Sequence, residues 1–171
     1  MALALSGTSN GSLNNLSLSG NTATIVDTAR AGGIVQVVTA TTATSVAVST
    51  TTYTDTGLSA SITPSSSSNK ILVMVNQMGN AGRSARPMGF GMQLLRDSTA
   101  ISVKTVGVGT GAANGQGCRD TFAICHLDEP STTSQITYKT QGKVNTTSNS
   151  GTCRFQEGST RSEIVLIEIA G

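Results

Sequence analysis

Short stretches of alternating apolar and polar residues, separated by turn residues, are the feature that most constrains the fold of this 171-residue chain. In residues 58–63, for example, Leu58, Ala60 and Ile62 fall on one side of an extended backbone. Pro64 and the serines that follow it then mark a turn. The same pattern predicts about nine or ten short strands, with candidate segments at residues 34–40, 44–50, 58–63, 70–78, 90–97, 100–106, 118–129, 135–141, 152–157 and 162–171.

The connections between these segments show no helical periodicity. Parallel strands need long crossover connections, usually helices, so the strands are expected to pair antiparallel. Many short strands with polar turns are typical of a sandwich or a barrel. The sequence therefore predicts an all-β fold for residues 34–171, an antiparallel jelly-roll-like β-sandwich.

The last predicted strand is apolar on both of its faces. One face can fill the core, and the other must then meet a second sheet or another subunit. We therefore take four of its residues as a candidate subunit interface: Ile164, Leu166, Ile167 and Ile169.

The composition supports β-structure with a sparse core. Only 12% of the residues are charged and β-branched residues are abundant, which argues against a disordered chain. The chain has no Trp, two Tyr and three Phe, so the core must be built mainly from aliphatic side chains. These side chains bury less area than aromatic ones, which favours additional burial between subunits.

Residues 1–33 differ from the rest of the chain. They are small and polar, with glycines that interrupt every potential strand. We interpret them as an extended N-terminal arm that orders against a partner or wraps around a neighbouring subunit, the alternative being a frayed terminus. The candidate docking residues of the arm are Leu5, Leu13, Leu16, Leu18 and Ile25.

Several classes of function find no support in the composition. The net charge is +2 without a basic stripe, which argues against nucleic-acid binding. The first residues lack the basic and apolar regions of a secretory signal, and no stretch has the length of a membrane span. We expect no membrane insertion, and we expect assembly in a cytoplasm where thiols stay reduced.

No catalytic or metal-binding constellation is predicted, and no cofactor is expected. The sequence has no nucleophile elbow followed by a helix, so His126 is not expected to belong to a Ser-His-Asp site. The G-V-G-T-G of residues 107–111 lacks the G-K-[ST] that ends a phosphate-binding loop. Cys118 and Cys125 are seven residues apart, which places them on opposite faces of one strand. Buried free thiols are the main expectation, and a bridge between Cys118 and Cys153, within or between subunits after release from the cell, is the alternative.

The acidic residues are scattered along the chain. Glycoside hydrolases need a facing pair of carboxylates. Asp128 and Glu129 are adjacent and diverge on a strand, so they do not form such a pair. We therefore interpret all of these acids as surface and turn residues: Asp55, Asp97, Asp120, Asp128, Glu129, Glu157, Glu163 and Glu168.

Five blocks of sequence carry a resemblance to a known group of proteins. They are VQVV (35–38), SITPSSSSNKILVMV (61–75), LLRDSTAI (94–101), LDEPSTTSQITYKTQ (127–141) and EIVLIEIAG (163–171). In these blocks, and across about four-fifths of its length, the chain resembles bacteriophage tail-fibre and virion-surface modules. Such modules are similar to compact jelly-roll end domains that form trimers, as in tumour-necrosis-factor-like folds.

The resemblance implies a non-enzymatic homotrimer on the virion surface, assembled in the host cytoplasm. With only about 33 residues before the module, a short fibre attached to tail, collar or capsid and binding host surface glycan is favoured over a long one. A capsid decoration protein is the alternative, and a polysaccharide-degrading enzyme is less favoured. The arm would contact other virion proteins, and the loops carry the candidate ligand residues: Arg83, Arg86, Asn114, Arg119, Asn145 and Asn149.

Overall fold

A computed structural model describes residues 31–82, 88–108, 118–147 and 151–171. The strands are β1 (Ile34–Thr42), β2 (Val46–Val48), β3 (Thr54–Ile62), β4 (Lys70–Gly82), β5 (Met88–Arg96), β6 (Thr99–Val108), β7 (Cys118–Asp128), β8 (Ile136–Val144), β9 (Thr152–Phe155) and β10 (Ser162–Ile169). A single 3-10 turn, Glu157–Ser159, separates β9 from β10. No helix among these residues is long and apolar enough to cross a membrane.

The strands form two antiparallel sheets. The first sheet has the order β1-β10-β4-β9-β2, with β7 on the other side of β4, and the second has the order β3-β8-β5-β6. β9 and β10 follow one another along the same side of β4, because β10 pairs with residues 70–76 and β9 with residues 79–82. β1 and β2 continue the first sheet beyond them, on β10 and β9 respectively.

When these interrupted strands are taken together, each sheet has four rows. The first sheet runs β1/β2, β9/β10, β4, β7, and the second runs β3, β8, β5, β6. Each sheet thus combines neighbours that are distant in sequence, as in the two Greek keys of a jelly roll. The predicted all-β, jelly-roll-like sandwich is confirmed.

The core lies between the two sheets. The largest enclosed side chains are Tyr138, Phe90, Phe122 and Phe155, and Phe90 makes edge contacts with the other two phenylalanine rings. All three phenylalanines of the chain are therefore in one cluster. Aliphatic residues from every strand row complete the core, as the composition predicts.

Three predicted loops are shorter than expected, because strand pairing extends into them. Residues 79–82 of the predicted loop 79–89 pair with β9, residues 107–108 of the predicted loop 107–117 pair with β5, and residues 143–144 of the predicted tip 143–151 pair with β5. Glycine and polar residues mark loops in local sequence. Here partner strands provide hydrogen bonds that the local pattern does not reveal.

Candidate partner and ligand surfaces

The two ends of the sandwich differ in what they carry. Gly32 donates to Ala170 O at 2.7 Å and Ala170 donates to Gly33 O at 2.9 Å, so the described chain begins and ends side by side. Ile169 in turn pairs with Lys70, which places both chain ends beside the start of β4. We call this the arm end, because the predicted arm leads into it. Residues 32 and 33 of the predicted arm 1–33 are bonded to Ala170, so the deletion considered below covers residues 1–30.

The predicted ligand loops begin and end at the opposite end of the sandwich. Met88 pairs with Val108, Ala81 pairs with Cys118, and Gly82 pairs with Thr152. The strand ends that flank residues 83–87, 109–117 and 148–150 therefore meet at this end, which we call the loop end. A shallow depression there is lined by residues of four strands and of the segments beside them, including Ala81, Gly82, Gly89, Val144, Thr146 and Thr152.

Two of the six candidate ligand residues lie in the described part of the chain. Asn145 is exposed and its backbone N–H donates to Gly89 O at 3.0 Å. Arg119 is 69% exposed and lies 3.7 Å from Glu157. Arg83, Arg86, Asn114 and Asn149 lie outside the described residues, as do the arm residues Leu5, Leu13, Leu16, Leu18 and Ile25.

Arg119 belongs to a small charged cluster near the loop end. Glu157 accepts a hydrogen bond from Asn80 Nδ2 and one from Arg154 Nη1 at 3.4 Å. The Asn80 hydrogen bond outweighs desolvation and, with Arg154 and Arg119, holds the pKa of Glu157 below its usual value. Two exposed arginines around one carboxylate leave a net positive site, which suits an anionic group such as an acidic sugar.

The prediction for the last strand needs a correction. Ile164 and Leu166 are fully enclosed in the core of their own chain, so neither can belong to a subunit surface. Ile167 and Ile169 alternate with them and are half-buried on the outer face of the first sheet. The period of two along a strand determines this division.

The interpretation of all acids as surface and turn residues is wrong for two of them. Glu168 is fully buried and accepts hydrogen bonds from Ser65 N at 2.7 Å, Asn69 Nδ2 at 2.6 Å and Gln36 Nε2. Asp128 is 7% exposed. The alternation of strand faces could have identified both acids as buried. Glu168 lies on the same face of its strand as Ile164 and Leu166, and Asp128 lies on the same face as Phe122 and Ile124.

Asp128 connects the two sheets. Arg96 Nη1 lies 2.9 Å from both carboxylate oxygens of Asp128, and the Tyr138 hydroxyl donates to Oδ2 at 2.6 Å. Asp128 ends β7 of the first sheet, whereas Arg96 and Tyr138 belong to the second. Burial, with the neighbouring Asp128, raises the pKa of Tyr138 far above its usual value, so its hydroxyl stays a donor.

The described histidine and cysteines show no catalytic or metal arrangement. His126 is half-buried on β7, and Asp128, two residues away, is bound to Arg96 and Tyr138. Within the described residues, no three His, Cys, Asp or Glu side chains are grouped so that they could hold a metal ion.

The cysteines also differ from one another. Cys153 is a buried free thiol, and burial raises its pKa to about 12. Cys118 and Cys153 both pair with Ala81, one from each side. At about 4.8 Å per strand their Cα atoms are roughly 10 Å apart, beyond the reach of a disulfide within one chain. Cys125 is exposed, contrary to the expectation of a buried thiol.

Comparisons with known proteins were made by sequence and by structure. No family model and no curated protein matches the sequence. Among solved structures, the chain is similar to chains of the T13 particle of infectious bursal disease virus (13% identity, 80% of this chain and 36% of that chain, TM-score 0.39). It is also similar to the Gx strain of that virus (15% identity, 80% and 37%, TM-score 0.39) and to its VP2 subviral particle (13% identity, 80% and 38%, TM-score 0.35).

The present chain thus spans little more than a third of the length of each of those viral chains. TM-scores below 0.5 carry no argument about function.

Proposed function

We propose that this chain is a non-enzymatic virion structural protein, a homotrimeric short fibre attached to tail, collar or capsid. It docks through residues 1–30 at the arm end and binds host surface glycan at the loop end. Its place is the virion surface, after assembly in the host cytoplasm. The observation that carries this proposal is that Gly32 and Ala170 lie at the opposite end of the sandwich from the strand ends that flank residues 83–87, 109–117 and 148–150.

A protein that bridges a particle and a host surface needs two separated contact regions. The sandwich separates them by the length of β4, which has 13 residues, or roughly 40 Å at about 3.3 Å per residue. Loops on a rigid β-scaffold are the usual carriers of specificity. The exposed Arg119 and Asn145 at the loop end offer donors that suit the hydroxyl and carboxylate groups of acidic sugars.

Two variants test the two ends separately. Deletion of residues 1–30 keeps Gly32 and Gly33, which bond to Ala170, and should leave a folded domain that no longer joins particles. The double substitution Arg119→Ala and Asn145→Ala should join particles normally but reduce adsorption to host cells at least about fivefold. Lys139→Ala, on the outer face of the second sheet, is the control.

The outcomes separate the parts of the proposal. Normal incorporation of the deletion variant would refute the docking role of the arm. Unchanged adsorption of the double variant would refute the ligand role of these two residues.

A capsid decoration protein is the second candidate, since an arm end that docks on a head would use the same layout. Copy number per particle distinguishes the two, because decoration proteins cover the head whereas fibres occur in a few sets. Loss of head stability, rather than loss of adsorption, would then follow deletion of residues 1–30.

A further inference from the structure

The outer faces of the two sheets differ sharply in polarity. In the first sheet, Val37, Ile167, Leu72 and Leu127 lie side by side across four strands, each paired with the next. The adjacent row across the same strands is Thr39, Val165, Met74 and Cys125. We call these eight residues, with Ile34 and Ile169 beside them, the apolar face.

Much of the apolar face is open to solvent in the single chain. Ile34 is 68% exposed, Val37 53%, Leu127 49% and Met74 44%. Exposed apolar residues are common singly, but contiguous rows of them mark contact surfaces.

The outer face of the second sheet provides an internal comparison. It carries mainly polar residues that bond to one another, such as Gln93 to Gln141 at 2.8 Å, Gln141 to Asp55 at 2.6 Å and Lys139 to Asp55 at 3.0 Å. These side chains are suited to water. The two faces belong to the same fold, so the apolar character of the first is not a general requirement of the sandwich.

We infer that the apolar face is the surface through which copies of this chain associate, so that its occupant is a second copy. This rests on the homotrimer of the proposed function and assigns its interface. The interface differs from the one predicted from β10 alone, because it keeps Ile167 and Ile169, excludes Ile164 and Leu166, and extends over β1, β4 and β7.

The size of the apolar face fits such an interface. Four strands about 4.8 Å apart and about six residues of each strand give a surface of roughly 20 by 20 Å, or about 400 Å². Interfaces are about 60% apolar in area. An apolar core of about 400 Å² therefore corresponds to a contact surface of about 650 Å² on each copy, including its polar rim. Stable interfaces bury about 800 ± 200 Å² per partner. Each copy in a ring of three has two neighbours, so the apolar face is one of its two contact surfaces, and the neighbouring copy covers it with a different part of its own surface.

The charges at the rim are of both signs, which suits a copy of the same chain. Lys70 and Glu129 form an ion pair at 2.7 Å at the arm end. Arg119, Arg154 and Glu157 lie toward the loop end. A rim of one sign would repel its own copy, and this rim does not.

Cys125 lies within the apolar face, so the reactivity of its thiol reports whether this face is accessible to solvent. Its thiol is exposed in the single chain, whereas Cys153 is fully buried and its pKa is raised to about 12, so Cys153 should not react. A Cys118→Ser background leaves Cys125 as the reporting thiol. The experiment combines solution mass by light scattering with the rate of maleimide labelling.

In this background we expect a mass of three chains and slow labelling of Cys125. Leu127→Asp should reduce the mass to one chain and speed the labelling at least about tenfold, since access controls thiol reaction. Val103→Asp, at a 59% exposed position on β6 of the second sheet, is the matched control and should keep both the mass and the slow rate. Val37→Lys is a second variant, and circular dichroism checks that each variant folds.

Three results would overturn the inference. A Leu127→Asp variant that keeps the mass of three chains would leave the homotrimer intact but place its interface elsewhere. Slow labelling of Cys125 in a monomer would mean that something other than a second copy covers the face. A monomer with rapid labelling would remove both this interface and the homotrimer, while the particle experiments above would still test attachment.

Discussion

Glu168 is a buried carboxylate held by neutral donors. Burial alone raises the pKa of Glu168, but hydrogen bonds from Asn69, Gln36 and Ser65 outweigh it, so the net pKa lies below the usual value. These donors come from β1 and from the turn before β4, so one side chain of β10 joins three segments of the arm end. Its role is structural, and it stabilises the place from which the arm departs.

The first prediction concerns the charge of Glu168. Glu168→Gln should lower the free energy of unfolding by about 2 kcal/mol at pH 7, because a buried acceptor of several hydrogen bonds is lost. Urea denaturation at one protein concentration measures this. Glu129→Gln, at a side chain that is 66% exposed, should change it by less than about 0.5 kcal/mol.

The pH dependence of that difference follows from the lowered pKa. A carboxyl whose pKa is depressed in the folded state contributes fully above its unfolded pKa of about 4.3, and this contribution is lost as the pH falls through the folded pKa. The difference in the free energy of unfolding between the parent protein and Glu168→Gln should therefore stay constant above about pH 5 and become smaller in acid. If this difference became larger in acid, a lowered pKa of Glu168 would be contradicted.

The second prediction concerns the contact between the sheets at Asp128. Asp128→Ala leaves the buried Tyr138 hydroxyl and the Arg96 guanidinium without their acceptor, and should cost about 3 kcal/mol. Tyr138→Phe removes only one donor and should cost about 1 kcal/mol. Equal costs for the two variants, measured by urea denaturation, would mean that the ion pair with Arg96 contributes nothing.

At the scale of the strand, glycines make room for the aromatic cluster. A Cβ at Gly142 of β8 would overlap the Phe155 ring, and a Cβ at Gly79 of β4 would overlap the Phe90 ring. Rings from the core thus pack directly on the backbone of a neighbouring strand. Glycine within a strand often marks a close approach of a side chain to the backbone. The Phe90 ring on Gly79 accounts for a glycine at this strand position, which the sequence pattern had assigned to a loop.

The third prediction uses these glycines. Gly142→Ala should destabilise the protein by about 3 kcal/mol, because a ring in a packed core cannot shift without strain. Gly82→Ala is the matched control, since a Cβ there meets nothing within 4 Å, and it should be neutral or slightly stabilising. Thermal unfolding distinguishes them, and similar melting temperatures for the two variants would refute the packing argument.

At the scale of the whole molecule, the jelly-roll topology places Gly32 and Ala170 at the opposite end from the strand ends that flank residues 83–87, 109–117 and 148–150. When antiparallel strands span the full sandwich, successive connections along the chain lie at alternating ends of it. The arm end and the loop end are therefore consequences of the fold, and so is the long outer face that lies between them. Docking and ligand binding can then use opposite ends, with self-association on the outer face between them.

The fourth prediction follows from this separation. A fluorescent protein fused after Gly171 lies at the arm end and should block incorporation into particles at least about tenfold, because it obstructs the docking region. The fusion should not change the number of chains in the oligomer, as measured by light scattering. A fused chain that incorporates as well as the unfused one would place the docking region elsewhere.

Much of the strand pattern could be predicted from local sequence. Alternation and turn residues located a strand near each of the ten observed, since the period of two is a local property. Thr54–Gly57 of β3, Gly79–Gly82 of β4 and Gly142–Val144 of β8 were missed. Most of these residues are small or polar, and their pairing with partner strands makes them strands.

The candidate surfaces were predicted less completely. Ile167 and Ile169 were placed on an interface, but Val37, Leu72, Met74 and Leu127 were not, because their alignment in two rows depends on the register of three strand pairs. Arg119 of β7 was named as a candidate ligand residue, whereas its neighbour Glu157 comes from a different part of the chain. Contacts between residues far apart in sequence cannot be read from spacing alone.

The sequence by itself determined the class of the fold, the approximate strands and the aliphatic character of the core, because these depend on residue type and local period. The tertiary structure decided which face of β10 is buried, which acids are enclosed, and which ends of the strands meet. Those properties depend on the order and register of the strands in the two sheets. Register is a collective property of the core, since a shift of one residue would turn every apolar side chain to the opposite face.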